Sequence, residues 1–247
     1  MPEFDEDREE LLAGMRDAGV GRIVNIGSDW ESLEKVKALS EKYDFIYATY
    51  GIHPDEIGGL DDGRFGQMKD FFTGPKDVAV GEIGLDYYHN TDNKSVQNEW
   101  FERQALLAKE LGKPIVIHSR EAAEDTLVMA KTRHFEDIGG VIHCFSYSPE
   151  MAKEYLSLGF FVGVGGVVTY KNGRRLKDTV GQIPLERIVL ETDSPFLSPE
   201  PRRGKRNDSR NLHEVVRAIA EIKGVTEDEV EEVTWRSACA LYRISEI

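Results

Sequence analysis

The chain has 247 residues, of which 40% are hydrophobic and 31% are charged, with a formal net charge of −14 and only two cysteines. This composition predicts a globular protein of one large or two small domains, and it argues against a disulfide framework or a cysteine-rich zinc site. The acidic balance disfavours a broad, sequence-independent grip on nucleic acid, although a local basic patch is compatible with it. No apolar run has membrane-spanning length and no basic, apolar leader opens the chain, so we expect a cytoplasmic protein without a membrane partner.

Short apolar runs alternate with amphipathic helical segments in chain order. The predicted strands are almost continuously apolar, which is typical of parallel strands covered on both faces; they span residues 21–27, 45–53, 77–85, 113–118, 139–145, 160–166 and 187–193. A helix over residues 5–19 precedes the first strand. Later helices carry clear end signals, with Gly112 as a C-cap, Ser148 and Pro149 at one start, and Thr226 with Glu229 as a capping box at another.

Repeated strand, loop and helix units predict right-handed βαβ connections and a parallel sheet of the α/β class. No change of composition marks a second domain, so we expect one domain over residues 1–247. A (β/α)8 barrel has eight strands, whereas seven can be identified here. Either the sheet is open with seven strands, or the sequence begins one strand late.

Polar residues lie at the carboxyl ends of several predicted strands, where the ends of parallel strands converge on one face. Taken singly, each is most simply a helix cap, an ion-pair partner or a hydrogen-bonded histidine. Two histidines and two carboxylates on four strands instead predict a divalent metal site for Zn, Mn or Mg, which would activate water for hydrolysis. These four residues are Glu82, His118, His143 and Asp193, and His53 follows another strand in the same way. Glu191 shares the side of Asp193, with no firm role.

Basic residues are concentrated in two segments of this otherwise acidic chain. Solvated loops would explain either segment alone, but beside a metal site they favour a phosphate-containing substrate. The first segment follows the sixth strand and carries Lys171, Arg174, Arg175 and Lys177; the second follows the seventh strand and carries Arg202, Arg203, Lys205, Arg206 and Arg210. Tyr87 and Tyr88 either stack on a base or pack on neighbouring loops.

Five motifs resemble, in order and approximate spacing, those of the TatD family of metal-dependent deoxyribonucleases. Each motif is weak alone, and the combination is highly specific. The motifs are GIHP at 51–54, GEIGLDYY at 81–88, PIVIHSREA at 114–122, HCFS at 143–146 and LETDSPFLSP at 190–199. The resemblance implies a TIM-type (β/α)8 barrel and a metal-dependent hydrolase of ester bonds. More specifically, it implies an Mg²⁺-dependent 3′–5′ exodeoxyribonuclease acting on single-stranded DNA or 3′ ends.

The resemblance also implies roles for individual residues. Glu82 is similar to a carboxylate shared between two divalent cations in an intact site, with Mg²⁺ expected and Mn²⁺ or Zn²⁺ as alternatives. His118 and His143 would bind one cation. Asp193 would bind the other and take a proton from the attacking water, which makes it catalytic together with Glu82. His53 is similar to a histidine near the bound phosphate, and Arg202, Arg203, Lys205 and Arg206 are predicted to bind phosphate. No obligate protein partner is indicated.

This sequence departs from the family pattern at its beginning. The family normally starts with a strand carrying His-x-His, whereas no histidine precedes His53 here. We therefore expect a missing or incomplete first strand, in agreement with the count of seven. The cation site that relies on His-x-His would keep only Glu82 and Asp193 and bind weakly, so activity would be reduced.

Two other functions are compatible with these residues. The same ligands could serve a metallo-amidohydrolase that acts on a small amide, lactone or ester, because a fold does not determine a function. A binding protein whose catalytic site has decayed is a non-enzymatic alternative. The basic segments favour a phosphodiester over both.

Overall fold

A computed structural model of the chain describes residues 1–246. Seven strands lie in this described part, and their order in the sheet is the order in which they occur in the chain. Four pairs of neighbouring strands are parallel, as the sequence predicted: 46–50 with 77–86, 77–86 with 115–120, 115–120 with 140–142, and 161–164 with 188–190. This is the strand arrangement of a TIM-type α/β fold. The strands are β1 Ile23–Ile26, β2 Ile46–Tyr50, β3 Asp77–Asp86, β4 Ile115–Arg120, β5 Gly140–Ile142, β6 Phe161–Val164 and β7 Ile188–Leu190.

Helices separate the strands, as expected for βαβ units. No helix among residues 1–246 is long and apolar enough to cross a membrane. The α-helices are α1 Arg8–Ala13, α2 Trp30–Lys42, α3 Asp62–Gln67, α4 Lys94–Leu111, α5 Ala123–Thr132, α6 Pro149–Ser157, α7 Arg174–Gln182, α8 Leu212–Lys223 and α9 Glu227–Tyr242. Most predicted caps are in place: Gly112 adopts a left-handed conformation, and Thr226 accepts a hydrogen bond from the Glu229 amide.

The predicted helix over residues 5–19 is wrong in its extent. Helix α1 covers only Arg8–Ala13 and ends at Gly14. The chain then continues in turns and reverses at Gly19, whose φ is +81°. Glycine favours such a break, because it loses more conformational freedom in a helix than other residues do and readily adopts a positive φ. The prediction extended the helix to residue 19 because the apolar pattern continues that far, whereas the helix itself ends at Gly14.

The described chain divides into two compact units. The first unit comprises Met1–Ile23, Cys144–Lys153 and Val162–Ala238. The second unit comprises Val24–His143, Glu154–Phe161 and the chain from Cys239 onward. The expectation of a single domain over residues 1–247 stays a prediction.

The second unit is built on β2, β3 and β4. A buried cluster that includes Leu33, Tyr50, Met68 and Trp100 packs helices α2 and α4 and the segment around Met68 against β2. Burial of this apolar surface is the main stabilising contribution. Close approach of β3 to β4 also requires Gly84, because a Cβ there would lie 1.9 Å from the carbonyl oxygen of His118. The packing therefore fixes the positions of the polar residues at the strand ends.

Candidate metal centre

Strands β3 and β4 bring two carboxylates to opposite sides of one imidazole. Gly84 is in register with His118, so Glu82 and Asp86, two residues to either side of Gly84, flank the histidine. The Nδ1 atom of His118 lies 3.0 Å from Glu82 Oε1. Its Nε2 atom lies 3.0 Å from Asp86 Oδ2. Both ring nitrogens of His118 are thus within hydrogen-bond distance of a carboxylate.

Two further histidines complete this cluster in the second unit. His143 follows β5, its amide donates to the Ile117 carbonyl, and its Nε2 atom lies 4.0 Å from Glu82 Oε1. The ring of His53 meets the ring of His118 edge to face, with 4.2 Å between centroids. The Asp55 amide donates to His53 Nδ1, which places the ring proton of a neutral His53 on Nε2. Glu82 therefore contacts both histidines that were predicted as ligands of one cation.

Opposite charges in this cluster shift the pKa values of His118, Glu82 and Asp86 toward their charged forms. Burial alone would lower the pKa of His118, but hydrogen bonds to Asp86 and Glu82 outweigh it and raise the pKa to about 9. Burial alone would raise the pKa of Glu82, but the charges of His143 and His118 lower it to about 2. The pKa of Asp86 lies below its usual range because its bonds to His118 and His89 outweigh burial. Burial and the positive charge of His118 lower the pKa of His53.

The donor set fits a divalent cation. Imidazole nitrogens and carboxylate oxygens are the ligands that Zn²⁺ and Mn²⁺ prefer, and carboxylates also suit Mg²⁺. In the metal-free protein the raised pKa of His118 puts an imidazolium between two buried carboxylates, so the cluster already stabilises positive charge. Residues that could hold the cation are Glu82, His118 and His143. Ligand atoms of His53, Asp86 and His118 also lie within 4.8 Å of one another.

Asp86 is a site residue that the sequence reasoning did not identify. Its side chain is only 1% exposed. Besides His118, it accepts hydrogen bonds from the amides of Tyr88 and His89, and it lies 2.9 Å from Nδ1 of His89. A carboxylate that accepts the second N–H of a metal-binding histidine fixes the tautomer and orientation of the ring. His89, which is 48% exposed, lies beside the cluster through this contact with Asp86.

Helix α4 fixes two of the site loops with buried glutamines that lie two turns apart. Gln97 Oε1 accepts the Asp86 amide at 2.8 Å, and Gln97 Nε2 donates to the Asp86 carbonyl at 2.9 Å. Gln104 forms the same pair of bonds with Ile52, at 2.8 and 3.1 Å. Each glutamine side chain thus forms one accepted and one donated hydrogen bond with the backbone of a single residue, as a neighbouring strand would. The backbone at Asp86 and next to His53 is thereby held in place.

The first unit carries the remaining predicted carboxylates, in the segment after β7. Asp193 has a φ of +56°, which is uncommon for a residue other than glycine. Its carbonyl accepts the Phe196 amide at 2.8 Å. Glu191 Oε1 accepts the amide of Cys144 at 2.8 Å, and both residues line a small cavity together with Asp193. Glu191 thus has a structural partner that the sequence did not reveal.

The basic residues after β7 differ in how firmly they are engaged within the first unit. Arg206 binds Asp7 in a two-bond ion pair, donates to the Glu3 carbonyl at 2.6 Å and lies over the Phe4 ring. Arg203 lies over the Tyr170 ring at 4.2 Å. Arg202 and Lys205 are exposed. The phosphate-binding role of the four residues and of His53 stays a prediction.

Comparisons with known proteins identify the family of this chain. The TatD-related DNase family matches residues 1–243. The chain is 39% identical to the uncharacterized metal-dependent hydrolase YabD of Bacillus subtilis, over 98% of this chain and 95% of that protein. It is 40% identical to the uncharacterized metal-dependent hydrolase YcfH of Escherichia coli K12, over 97% of this chain and 89% of that protein.

A solved structure extends the agreement to the fold. The crystal structure of the TatD homologue YjjV from Escherichia coli K12 superposes with a TM-score of 0.91 at 29% identity. It covers 99% of this chain, and this chain covers 95% of it. The sequence match, the shared fold and the carboxylate–histidine cluster lead to one conclusion. The chain belongs to the TatD family of metal-dependent hydrolases.

Proposed function

We propose that the protein hydrolyses phosphodiester bonds of DNA and acts as a metal-dependent 3′–5′ exodeoxyribonuclease. The observation that carries the proposal is the Glu82–His118–Asp86 arrangement with His143 against Glu82, within a chain that matches a family described as TatD-related DNase. The exposed cations Arg202 and Lys205 after β7 support a polyanionic substrate. Mg²⁺ is the proposed metal, because carboxylate and water ligands suit it and the substrate would supply phosphate oxygens.

The proposed mechanism assigns a task to each side chain. A divalent cation held by Glu82, His118 and His143 would supply Lewis-acid polarisation of a phosphoryl oxygen. Asp86 would accept the Nε2–H of His118 when the cation is bound, which leaves Nδ1, next to Glu82, as the nitrogen that would bind the cation. His53, with its neutral-state proton on Nε2, donates a hydrogen bond to a phosphate oxygen.

The remaining steps concern the attacking water and the leaving group. Asp193 takes a proton from the water as its oxygen attacks phosphorus. The P–O bond to the 3′ oxygen of the preceding nucleotide then breaks, and that oxygen gains a proton. The products are a 5′-mononucleotide and a strand shorter by one residue. General base catalysis of this kind requires a carboxylate within hydrogen-bond reach of the attacking water.

The proposal is tested by a cleavage assay on single-stranded DNA labelled at its 3′ end. We expect labelled mononucleotides with Mg²⁺ or Mn²⁺ and none with EDTA. Glu82→Ala should lower the rate by at least about 100-fold, because a cation contributes several kcal/mol to the transition state. The control Glu136→Ala removes an exposed glutamate that pairs with the exposed His134 side chain. It should cleave at the rate of the wild-type protein.

Two results would contradict the proposal. One is the absence of mononucleotide release with every metal tried, when binding of the metal is measured independently by calorimetry. The other is full activity of Glu82→Ala. Release of internal fragments before mononucleotides would support phosphodiester hydrolysis but contradict the proposed exonuclease activity.

A further inference from the structure

A tyrosine and an arginine form an exposed pair beside the metal centre. The side chain of Tyr88 is 55% exposed, which is unusual for a large aromatic residue. The guanidinium carbon of Arg120 lies over its ring, 4.3 Å from the centroid. The ring of His89 meets Tyr88 edge to face, with 4.9 Å between centroids. The ring therefore contacts Arg120 and His89, while Tyr88 as a residue stays more than half exposed.

The neighbouring Tyr87 shows what a structural tyrosine looks like in the same loop. It is 9% exposed. Its hydroxyl donates to Asp125 at 2.7 Å and accepts from Asn98 at 2.9 Å. The Tyr88 hydroxyl, by contrast, has no hydrogen-bond partner among residues 1–246. Packing explains Tyr87 and leaves Tyr88 unexplained.

Arg120 likewise has no carboxylate partner among the described residues. Two other arginines that lie over aromatic rings also contact a carboxylate: Arg103 contacts Asp62 at 2.6 Å, and Arg203 contacts Glu200 at 4.0 Å. Arg120 forms no ion pair with any residue of the described chain. An exposed, unpaired guanidinium in a protein of net charge −14 is a ready partner for a phosphate.

Both residues are fixed to the metal centre by short connections. The Tyr88 amide donates to Asp86 Oδ1 at 2.9 Å, and the other oxygen of Asp86 contacts His118. Arg120 is the last residue of β4, two residues after His118. Residues two apart on a strand share a side and are separated by about 7 Å. Arg120 thus lies two residues beyond His118 on the same strand, and Tyr88 lies two residues beyond Asp86.

We propose that Tyr88 and Arg120 form a nucleotide subsite next to the metal centre, a conclusion that rests on the proposed DNA hydrolysis. The base of the 3′-terminal residue of the bound strand stacks on the exposed part of the Tyr88 ring. A phosphate of the same strand binds the Arg120 guanidinium. Aromatic stacking is tolerant of base identity, so the subsite recognises any nucleobase rather than a particular sequence. It selects nucleic acid over phosphodiesters that lack a base.

The test compares two oligonucleotides that differ only in the base of the 3′-terminal residue, which is thymine in one and absent in the other. Tyr88→Ala should lower kcat/KM on the thymine substrate by about 5- to 100-fold, the usual range for loss of one stacked base. It should leave the abasic substrate within about twofold of the wild-type value. Tyr88→Phe should restore stacking, since the hydroxyl has no partner. Val128→Ala, which truncates another exposed apolar side chain, is the control.

The arginine is tested in parallel. Arg120→Ala should weaken both substrates alike and reduce the slope of log affinity against log salt by about 0.7, as expected for one lost phosphate contact on a single strand. Arg133→Ala removes an arginine paired with Glu102 on another helix and serves as the matched control. An Arg120→Ala protein with an unchanged salt slope would overturn the phosphate contact.

Equal losses on the two substrates, or a loss with Tyr88→Phe as large as with Tyr88→Ala, would overturn the stacking subsite. A failure of the proposed function is distinguishable, because the wild-type protein would then cleave neither oligonucleotide. In that case fluorescence anisotropy of the same labelled strands decides about the subsite. An affinity that is unchanged by Tyr88→Ala would reject it, and a selective loss on the thymine strand would support it.

Discussion

The two carboxylates of β3 and the histidine of β4 are largely buried and bound to one another, whereas the cations of segment 202–206 are exposed and unevenly paired. Glu82 and Asp86 are 14% and 1% exposed and share His118 between them. Arg203 and Arg206 are 50% and 33% exposed, and their partners are carboxylates at the surface. A buried charge left without a partner is costly, while an exposed one is solvated. Substitutions in the first region should therefore have much larger effects than those in the second.

The largest expected effect comes from removing the imidazole shared by the two carboxylates. His118→Ala should lower the affinity for Mn²⁺ and the rate of hydrolysis by at least about 100-fold, because the cation loses a ligand and both carboxylates lose their partner. Isothermal titration calorimetry measures the affinity independently of activity. The control His134→Ala removes an exposed histidine and should leave both quantities unchanged. Wild-type metal affinity in His118→Ala would rule out His118 as a ligand.

The metal-free protein should lose stability as the pH rises from about 6.5 to about 9. The pKa of His118 is raised to about 9 in the folded state, and an unfolded histidine has a pKa near 6.5. The stabilising contribution of its charge is thus fully present below pH 6.5 and is lost as the pH passes through the folded pKa. A shift of this size corresponds to a contribution on the order of 3 kcal/mol.

Urea unfolding in EDTA at several pH values measures this loss. His118→Gln should flatten the dependence between pH 6.5 and 9, because the group that titrates is gone. Glu82 gives the opposite sign at the other end of the scale. Its folded pKa of about 2 is below the unfolded value, so its contribution is present above pH 4.5 and is lost toward pH 2. Identical slopes in the variant and the wild-type protein between pH 6.5 and 9 would contradict the assignment to His118.

An intermediate effect is expected from Asp86→Asn. The amide keeps the size of the side chain but holds His118 Nε2–H less firmly, and loss of such an outer carboxylate typically lowers metal affinity by about 10- to 100-fold. Calorimetric titration with Mn²⁺ measures the change. Asp137→Asn, which affects an exposed pair with Lys109, is the matched control. An affinity equal to that of the wild-type protein would show that Asp86 does not orient the ligand.

The sequence predicted the strands of this fold well, because each strand is a short apolar run bounded by polar segments. It also singled out Glu82, His118 and His143, since each is a polar residue at the end of such a run, and the structure brings these three side chains together. The same criterion did not single out Asp86. It lies at the end of a strand that already had its polar residue, and its partner His118 is 32 positions away.

Other features depend on contacts that local patterns do not encode. Gln97 and Gln104 lie on the buried side of α4 next to Trp100 and Phe101, where periodicity counts only the apolar residues. Their role becomes visible once β2 and β3 are packed against the helix. The pairing of Arg206 with Asp7 joins residues 199 positions apart. The sequence therefore does not show that the basic residues of this segment differ in whether a carboxylate of the folded protein pairs with them.

The smallest expected effects concern this basic segment, and they separate its members. Arg202→Ala combined with Lys205→Ala should weaken binding of single-stranded DNA by about 3- to 10-fold at low salt and reduce the salt slope by up to about 1.4, or about 0.7 for each lost phosphate contact. Arg206→Ala should change DNA binding less, because its guanidinium is already bound to Asp7 and to the Glu3 carbonyl. It should instead loosen the N-terminal segment and speed its hydrogen exchange. Fluorescence anisotropy across a salt series together with exchange measurements distinguishes the two responses. If Arg206→Ala reduced the salt slope as much as loss of Arg202 and Lys205 did, the ion pair with Asp7 would have to open when DNA binds, and the contrast between paired and unpaired cations in this segment would fail.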